Sequence, residues 1–167
     1  LAIQWLIDAG IIHKVNRAKE LQMPLKFYED LSAFKLFLLD CGLFGCMVDA
    51  PAKQMLISDN IFKEFKGAFT EQFVLQQLVA NEMLPYYWSS DSTPAEIDFA
   101  IQTEERVPIE VKAEENVKSR SMRTYIDKHP NYNLKGLRIS MKGYDVQDWL
   151  ENIPLYGISK YFFTYTE

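Results

Sequence analysis

The sequence is poor in the features that staple, anchor or power a chain. Two cysteines, Cys41 and Cys46, among 167 residues cannot build a disulfide framework. Beside Leu43, Phe44 and Met47 they read as reduced core thiols of a cytoplasmic protein. The two histidines, His13 and His129, are far apart, and neither pairs with a cysteine at zinc-ligand spacing. His129, next to Pro130, reads as a helix-end residue. The longest run of large apolar residues is four, at 36–39, where a membrane span needs about 18. No lipidation signal is present. No Gly-x-x-x-x-Gly-Lys-Ser/Thr occurs, so this stretch carries no P-loop nucleotide site. Positive charge is scarce too, with 18 Lys and Arg against 23 Asp and Glu, a net of −5. That argues against gripping nucleic acid by bulk charge and leaves a local basic patch open.

What is present is ordinary for a globular domain: 48% hydrophobic and 25% charged residues, with no repeat or low-complexity tract. At about 150 residues per domain the length gives one domain, or one and a fragment. Leu1 lies inside an apparent helix, so the chain reads as a piece of a longer polypeptide. Residues 1–9 form that helix, stopped by Gly10, and 11–15 a short strand. A polar loop or wing follows to residue 25, then a strand at 35–39 and a short helix from Cys41. Near residue 60 the pattern changes, which sets expected units at 1–59 and 60–167. Residues 61–83 carry the strongest helical period, closed by Pro85. Strands are expected at 86–88, 96–102, 107–113 and 134–141, with 96–102 and 107–113 an antiparallel hairpin. A helix is expected at 119–129, a helical turn at 146–150, and an apolar segment of open type at 153–163. The order implies an α/β domain with a mixed sheet.

Chemistry concentrates in the hairpin. Glu110 and Lys112, two apart on a strand, share a face, and Asp98 on the paired strand can reach the same edge. Two carboxylates there suit a hard cation such as Mg²⁺ or Mn²⁺, and the lysine could orient water or offset phosphate charge. A surface salt bridge gives the same pattern. Glu71 lies on the apolar stripe with Val74, Leu75 and Leu78, either as a paired or metal-bound acid or as an outward-facing residue early in its helix. From Lys112 to Lys128 there are five basic and three acidic residues. Lys118, Arg120, Arg123 and Lys128 could meet a phosphate backbone or simply line a solvated helix face. Tyr86, Tyr87 and Trp88 could stack on bases or pack the core.

Glu71, Asp98 and the Glu110–Lys112 pair resemble the active-site pattern of the PD-(D/E)xK nuclease-like superfamily. The strings Lys66-Gly67-Ala68-Phe69-Thr70-Glu71-Gln72-Phe73-Val74, Tyr87-Trp88, Ala95-Glu96-Ile97-Asp98-Phe99 and Pro108-Ile109-Glu110-Val111-Lys112-Ala113 look like the DUF4143 region found behind an AAA-type ATPase core. Phe37-Leu38-Leu39-Asp40-Cys41-Gly42-Leu43 resembles that family's preceding segment, and Trp5-Leu6-Ile7-Asp8-Ala9-Gly10-Ile11-Ile12 its winged-helix-like portion. The resemblance implies a restriction-endonuclease-like mixed sheet flanked by helices, preceded by a partial winged-helix-like segment. It implies a catalytic set of Glu71, Asp98, Glu110 and Lys112, the three acids being metal ligands. It further implies an upstream ATPase domain as partner. Two functions follow: a nuclease-like module that engages DNA or a protein partner, with no ATPase activity of its own, or Mg²⁺-dependent hydrolysis of DNA phosphodiesters.

Overall fold

The computed structural model describes residues 2–49, 63–114 and 118–163. The expected boundary near residue 60 and the start of the long helix lie outside them.

The chain begins with α1 (Ala2–Asp8). Gly10, at a φ of +71°, ends it, and the Gly10 and Ile11 amides close onto Ile7 and Leu6 at 2.8 and 2.9 Å. Strands β1 (Ile12–Ala18) and β2 (Glu29–Leu38) form an antiparallel pair. Both outrun the expected strands, because the register shifts between Asn16 and Arg17 and lets Arg17 and Ala18 pair with Asp30 and Glu29. Asp40 caps α2 (Cys41–Met47) by accepting the Leu43 amide at 2.7 Å.

The long helix α3 (Lys63–Ala80) buries Val74, Leu75 and Leu78 completely. Each such burial contributes roughly 1.5–3 kcal/mol. After it come β3 (Tyr86–Ser89), β4 (Glu96–Gln102) and β5 (Arg106–Val111), all antiparallel neighbours. The turn between β4 and β5 closes through the Thr103 amide on the Glu105 carbonyl at 2.8 Å. Helix α4 (Arg120–Lys128) leads to β6 (Gly136–Ser140), β7 (Asp145–Val146), β8 (Leu150–Pro154) and α5 (Ile158–Phe163).

The sheet has eight strands in the order β2-β1-β3-β4-β5-β6-β8-β7. β5, β6 and β8 run parallel, and β1 joins β3 in parallel at one residue pair, Arg17 with Tyr87. Helices lie on both faces. Val74, Leu75 and Leu78 of α3 and Ile158 and Phe162 of α5 meet Val15, Phe99, Ile101, Ile109 and Val111. Met122 and Tyr125 of α4 meet Ala18, Leu21, Leu25, Tyr86, Ile97 and Ala100. Among the described residues no helix is long and apolar enough to cross a membrane.

Two expectations are corrected. Residues 146–150 are not a helical turn. They form the tight link from β7 to β8, closed by reciprocal Gln147–Leu150 backbone bonds of 2.8 and 3.3 Å. Asn152 pins the preceding stretch by donating to the Lys142 and Gly143 carbonyls at 3.0 and 2.9 Å. Cys46 is exposed and not a core thiol, while Cys41 is half-buried. Burial pushes the Cys41 thiol up to about 11, with Asp40 adding to the shift.

Candidate functional site: an acid and lysine cluster between α3 and the β4–β5 hairpin

Three local devices bring the cluster together. The first is the helical stripe, which turns Glu71 toward the sheet with Val74 and Leu75. The second is a bulge in β4. Tyr86 pairs with Ala100 but Trp88 with Ile97, so β4 carries one residue more than β3 across this interval. Strict alternation would send Asp98 and Phe99 to opposite faces. Phe99 joins the core under α3, and the Asp98 carboxylate nevertheless feels Glu71 of the same helix. A bulge re-aims a side chain in this way. The third is a clamp. Gln72 accepts the Leu38 amide at 3.0 Å and donates to the Leu38 carbonyl at 2.7 Å, while Gln76 accepts the Cys41 amide at 3.2 Å. These bonds fix β2 against α3 and so place Lys35 beside Glu71.

Asp98 Oδ2 accepts the Val111 amide at 2.7 Å, tying β4 to the end of β5 beyond the last ladder pair. Burial and the neighbouring Glu71 push the Asp98 carboxyl up to about 7, against the pull of the Val111 amide, Lys112 and Lys35. Glu71 is likewise raised, chiefly by burial, with Lys35 opposing. Lys112 Nζ lies 2.9 Å from Glu110 Oε1. Burial works against the Lys112 charge, but the Glu110 bond and the charges of Glu110, Asp98 and Glu71 hold it above the ordinary lysine value. Lys112 is thus the group that all three acids act on.

Glu110 is the most enclosed of the four, its side chain 6% exposed. Ile109 and Val111 face α3, so Glu110 faces the other layer, next to Arg138 in the β5–β6 register. Arg138 donates to Asn152 Oδ1 at 2.8 Å, and Ser140 Oγ donates to the same oxygen at 2.8 Å. Glu110 Oε2 is buried and has no hydrogen-bond partner among the described residues.

Sequence reasoning missed Lys35 as a site residue. Its ammonium bonds Glu96 Oε1, stands 3.9 Å from Glu71 Oε2 and lies 5.1 Å from the centre of the Tyr87 ring. Burial lowers its basicity, but Glu96, Glu71 and Asp98 outweigh that and raise it. The available signal was its phase with Phe37, two residues on, which packs at 5.6 Å from Phe99.

Mg²⁺ or Mn²⁺ would need convergent carboxylate oxygens. The donor chemistry suits such an ion, but the arrangement does not fit one. Glu71 and Glu96 face Lys35, Glu110 Oε1 holds Lys112, and Asp98 Oδ2 holds an amide. Among the described residues no three His, Cys, Asp or Glu side chains group to hold a metal ion.

The basic residues of α4 are elsewhere. Lys118, Arg120 and Lys128 are exposed, with α4 against the sheet face opposite α3. Arg123 bonds Asp127 at 2.9 Å and lies 4.8 Å from the Trp149 ring centre. Tyr86 and Tyr87 are buried, and Trp88 packs edge-on against Tyr125 at 4.5 Å. His129 caps the C-terminus of α4, its ring stacked between Tyr125 and Tyr132 at 4.2 and 4.9 Å.

No curated protein matches the chain. One similar solved structure is a refined half-complex from a tetradecameric assembly of Thermococcus gammatolerans McrB AAA+ hexamers with bound McrC. It is 14% identical with a TM-score of 0.38, over 59% of this chain and 32% of that one. This chain therefore spans about a third of that one's length, and the likeness is too distant to bear on function. The family whose pattern fits is described as "Domain of unknown function (DUF4143)", over residues 66–161. That span is more than half of the 167 residues, and the chain belongs to this family.

Proposed function

We propose that this chain is a nuclease-like module of a larger ATPase-containing protein, one that engages the phosphodiester backbone of nucleic acid and has no ATPase activity of its own. The observation that carries the reading is Lys112, a half-exposed ammonium that bonds Glu110 and is acted on by Glu71 and Asp98 from the α3 side. A helix and two adjacent strands deliver these four residue types in the order of the PD-(D/E)xK pattern. Within this reading the sheet is restriction-endonuclease-like, and the segment ahead of residue 60 is a winged-helix-like remnant. The upstream ATPase rests on the family resemblance alone. Lys118, Arg120 and Lys128 supply further phosphate contacts from the α4 side, with Arg123 committed to Asp127 and Trp149.

Fluorescence anisotropy with a labelled DNA oligonucleotide tests this. The parent should bind with an affinity that falls steeply with salt, and Lys112→Ala should weaken binding at least fivefold without lowering the melting temperature by more than a few degrees. Equal binding by parent and variant would point instead to a protein partner.

A further inference from the structure

Strand β2 is an outer strand, and among the described strands only β1 pairs with it. In an antiparallel pair, residues whose backbone bonds the neighbour alternate with residues whose backbone points away. The Leu39 amide bonds the Ile11 carbonyl at 2.9 Å, so Leu38, opposite Ile12, is of the second kind. Steps of two residues make Leu36, opposite Lys14, and Phe34, opposite Asn16, outward-facing as well. Gln72 of α3 fits this phase. Its side-chain amide pairs with the outward N–H and C=O of Leu38, as the next strand of a sheet would. The backbones of Leu36 and Phe34 have no such partner among the described residues. Beyond Phe34 the register breaks, and Leu31, Ser32 and Ala33 pair with nothing on β1. The free edge is therefore short, bounded by this bulge at one end and by Gln72 at the other.

Along this edge lies a groove of about 270 Å³, lined by Leu36 and Phe37 of β2, Phe44 of α2, and Ala68, Glu71 and Gln72 of α3. Small-molecule sites run to roughly 300–1,000 Å³, so this one suits a side chain or two. Leu36 and Phe34 are 43% and 38% exposed, at an edge that sheets ordinarily protect with charge or cover. Among the described residues Glu71 is the one charged group of the lining. Behind it Glu96, Asp98 and Glu110 bring the acids to four, against Lys35 and Lys112. The groove therefore favours a basic visitor. A second copy of β2 is a poor match, because antiparallel pairing over Phe34–Leu36 sets Lys35 against Lys35.

We propose that the β2 edge and its groove bind an extended segment of a protein partner as an added strand, one with a Lys or Arg facing Glu71 and an apolar residue facing Phe44. The outward N–H and C=O groups of Phe34 and Leu36 supply the main-chain bonds, and the groove selects the side chains. Three residues of edge span about 10 Å, so the recognised segment is short. A strand here is not required for phosphate contact at Lys112, so either reading stands without the other.

Fluorescence anisotropy of the 167-residue chain with a labelled peptide, Thr-Val-Lys-Val-Leu-Val-Thr, tests this. Its Lys and Leu share one face of a strand and its valines the other. The parent should bind it, and hydrogen exchange at the Phe34 and Leu36 amides should slow at least tenfold in the complex. Only one of the two alternate sets of peptide amides faces β2 in an added strand. N-methylation of that set should weaken binding at least tenfold, and of the other set less than threefold. Leu36→Pro removes an outward amide without breaking a β1–β2 bond, and should also weaken binding at least tenfold. Should that variant melt far below the parent, Ala68→Phe, which fills the groove from an exposed helix position, takes its place. Exchange of the peptide Lys for Glu should weaken binding at least fivefold in the parent and leave it unchanged in Glu71→Gln. No binding at millimolar peptide, equal effects of the two methylation sets, or parent-like affinity in the edge variant overturns the proposal. So does dimerisation of the parent that Leu36→Pro abolishes, because the edge then belongs to a second copy.

Discussion

Asp98 is the residue whose environment departs furthest from what its chemistry prefers. Its carboxyl is raised to about 7 from 3.8 by burial and by Glu71. Between those two values the folded protein holds a proton that the unfolded chain has already released. Stability therefore falls as pH rises through that window, by a few kcal/mol at most for a shift of this size. Asn at this position keeps an oxygen for the Val111 amide and cannot ionise. We expect the parent's melting temperature to decline from pH 5 to pH 8 more steeply than that of Asp98→Asn. At pH 8 the variant should be the more stable by roughly 1–3 kcal/mol. A variant that loses more stability at pH 8 than at pH 5 would mean that the ionised carboxylate is what the fold wants. The same carboxyl illustrates what sequence conveys at this scale. The contact of Glu110 with Lys112 was legible because residues two apart on a strand share a face. The bulge that turns Asp98 toward α3 has no sequence mark, since it is a difference in residue count between β3 and β4. Lys35 was not legible either, because its acid partners are 36 and 61 residues away.

Elements with a strong internal period matched expectation, and those set by distant packing did not. The β4 strand at Glu96–Gln102, the antiparallel β4–β5 pair and the α3 stripe of Val74, Leu75 and Leu78 all follow from short-range pattern. The link from β7 to β8 was misread because Val146 and Trp149 mimic one helical turn, while reciprocal Gln147–Leu150 backbone bonds close it as a hairpin and Asn152 pins Lys142 and Gly143 ahead of it. The approach of α4 to β6 is likewise tertiary, and it depends on Gly136. A Cβ there would meet Met122 Sδ at 2.7 Å and Leu150 Cδ1 at 3.2 Å. Met122 is wholly buried and Leu150 nearly so, leaving neither side chain an easy retreat. Gly136→Ala should therefore destabilise the protein by about 1–3 kcal/mol, read as a lower urea midpoint with unchanged slope. A midpoint equal to the parent's would show that α4 can slide away from β6 without loss.

At the scale of the whole molecule, residues 2–49 either fold as a separate unit or share the core of the rest. The backbone favours separation, because β1 meets β3 at a single residue pair. The side chains favour union. Val15 enters the core beneath α3, while Ala18, Leu21 and Leu25 enter the core beneath α4. The Leu21 amide donates to Tyr125 Oη at 2.9 Å, the Leu25 amide to Gln102 at 2.7 Å, and Arg17 bridges Asp30 and Asp91 at 2.7 and 2.6 Å. Apolar burial at several fully enclosed positions outweighs a missing ladder, whose hydrogen bonds contribute about 1 kcal/mol each. The described residues should then unfold as one cooperative body. Leu21→Ala, at a position with no exposure, should cost about 2–5 kcal/mol. Native-state hydrogen exchange should show the loss shared by β1, β2, β4 and α4, because removing one wall of a common core lowers the opening free energy of everything built on it. Faster exchange confined to β1 and β2 would mean that these strands open on their own. Lys35 would then leave Glu71 and Glu96 whenever they did, with α3 and the β4–β5 pair still folded.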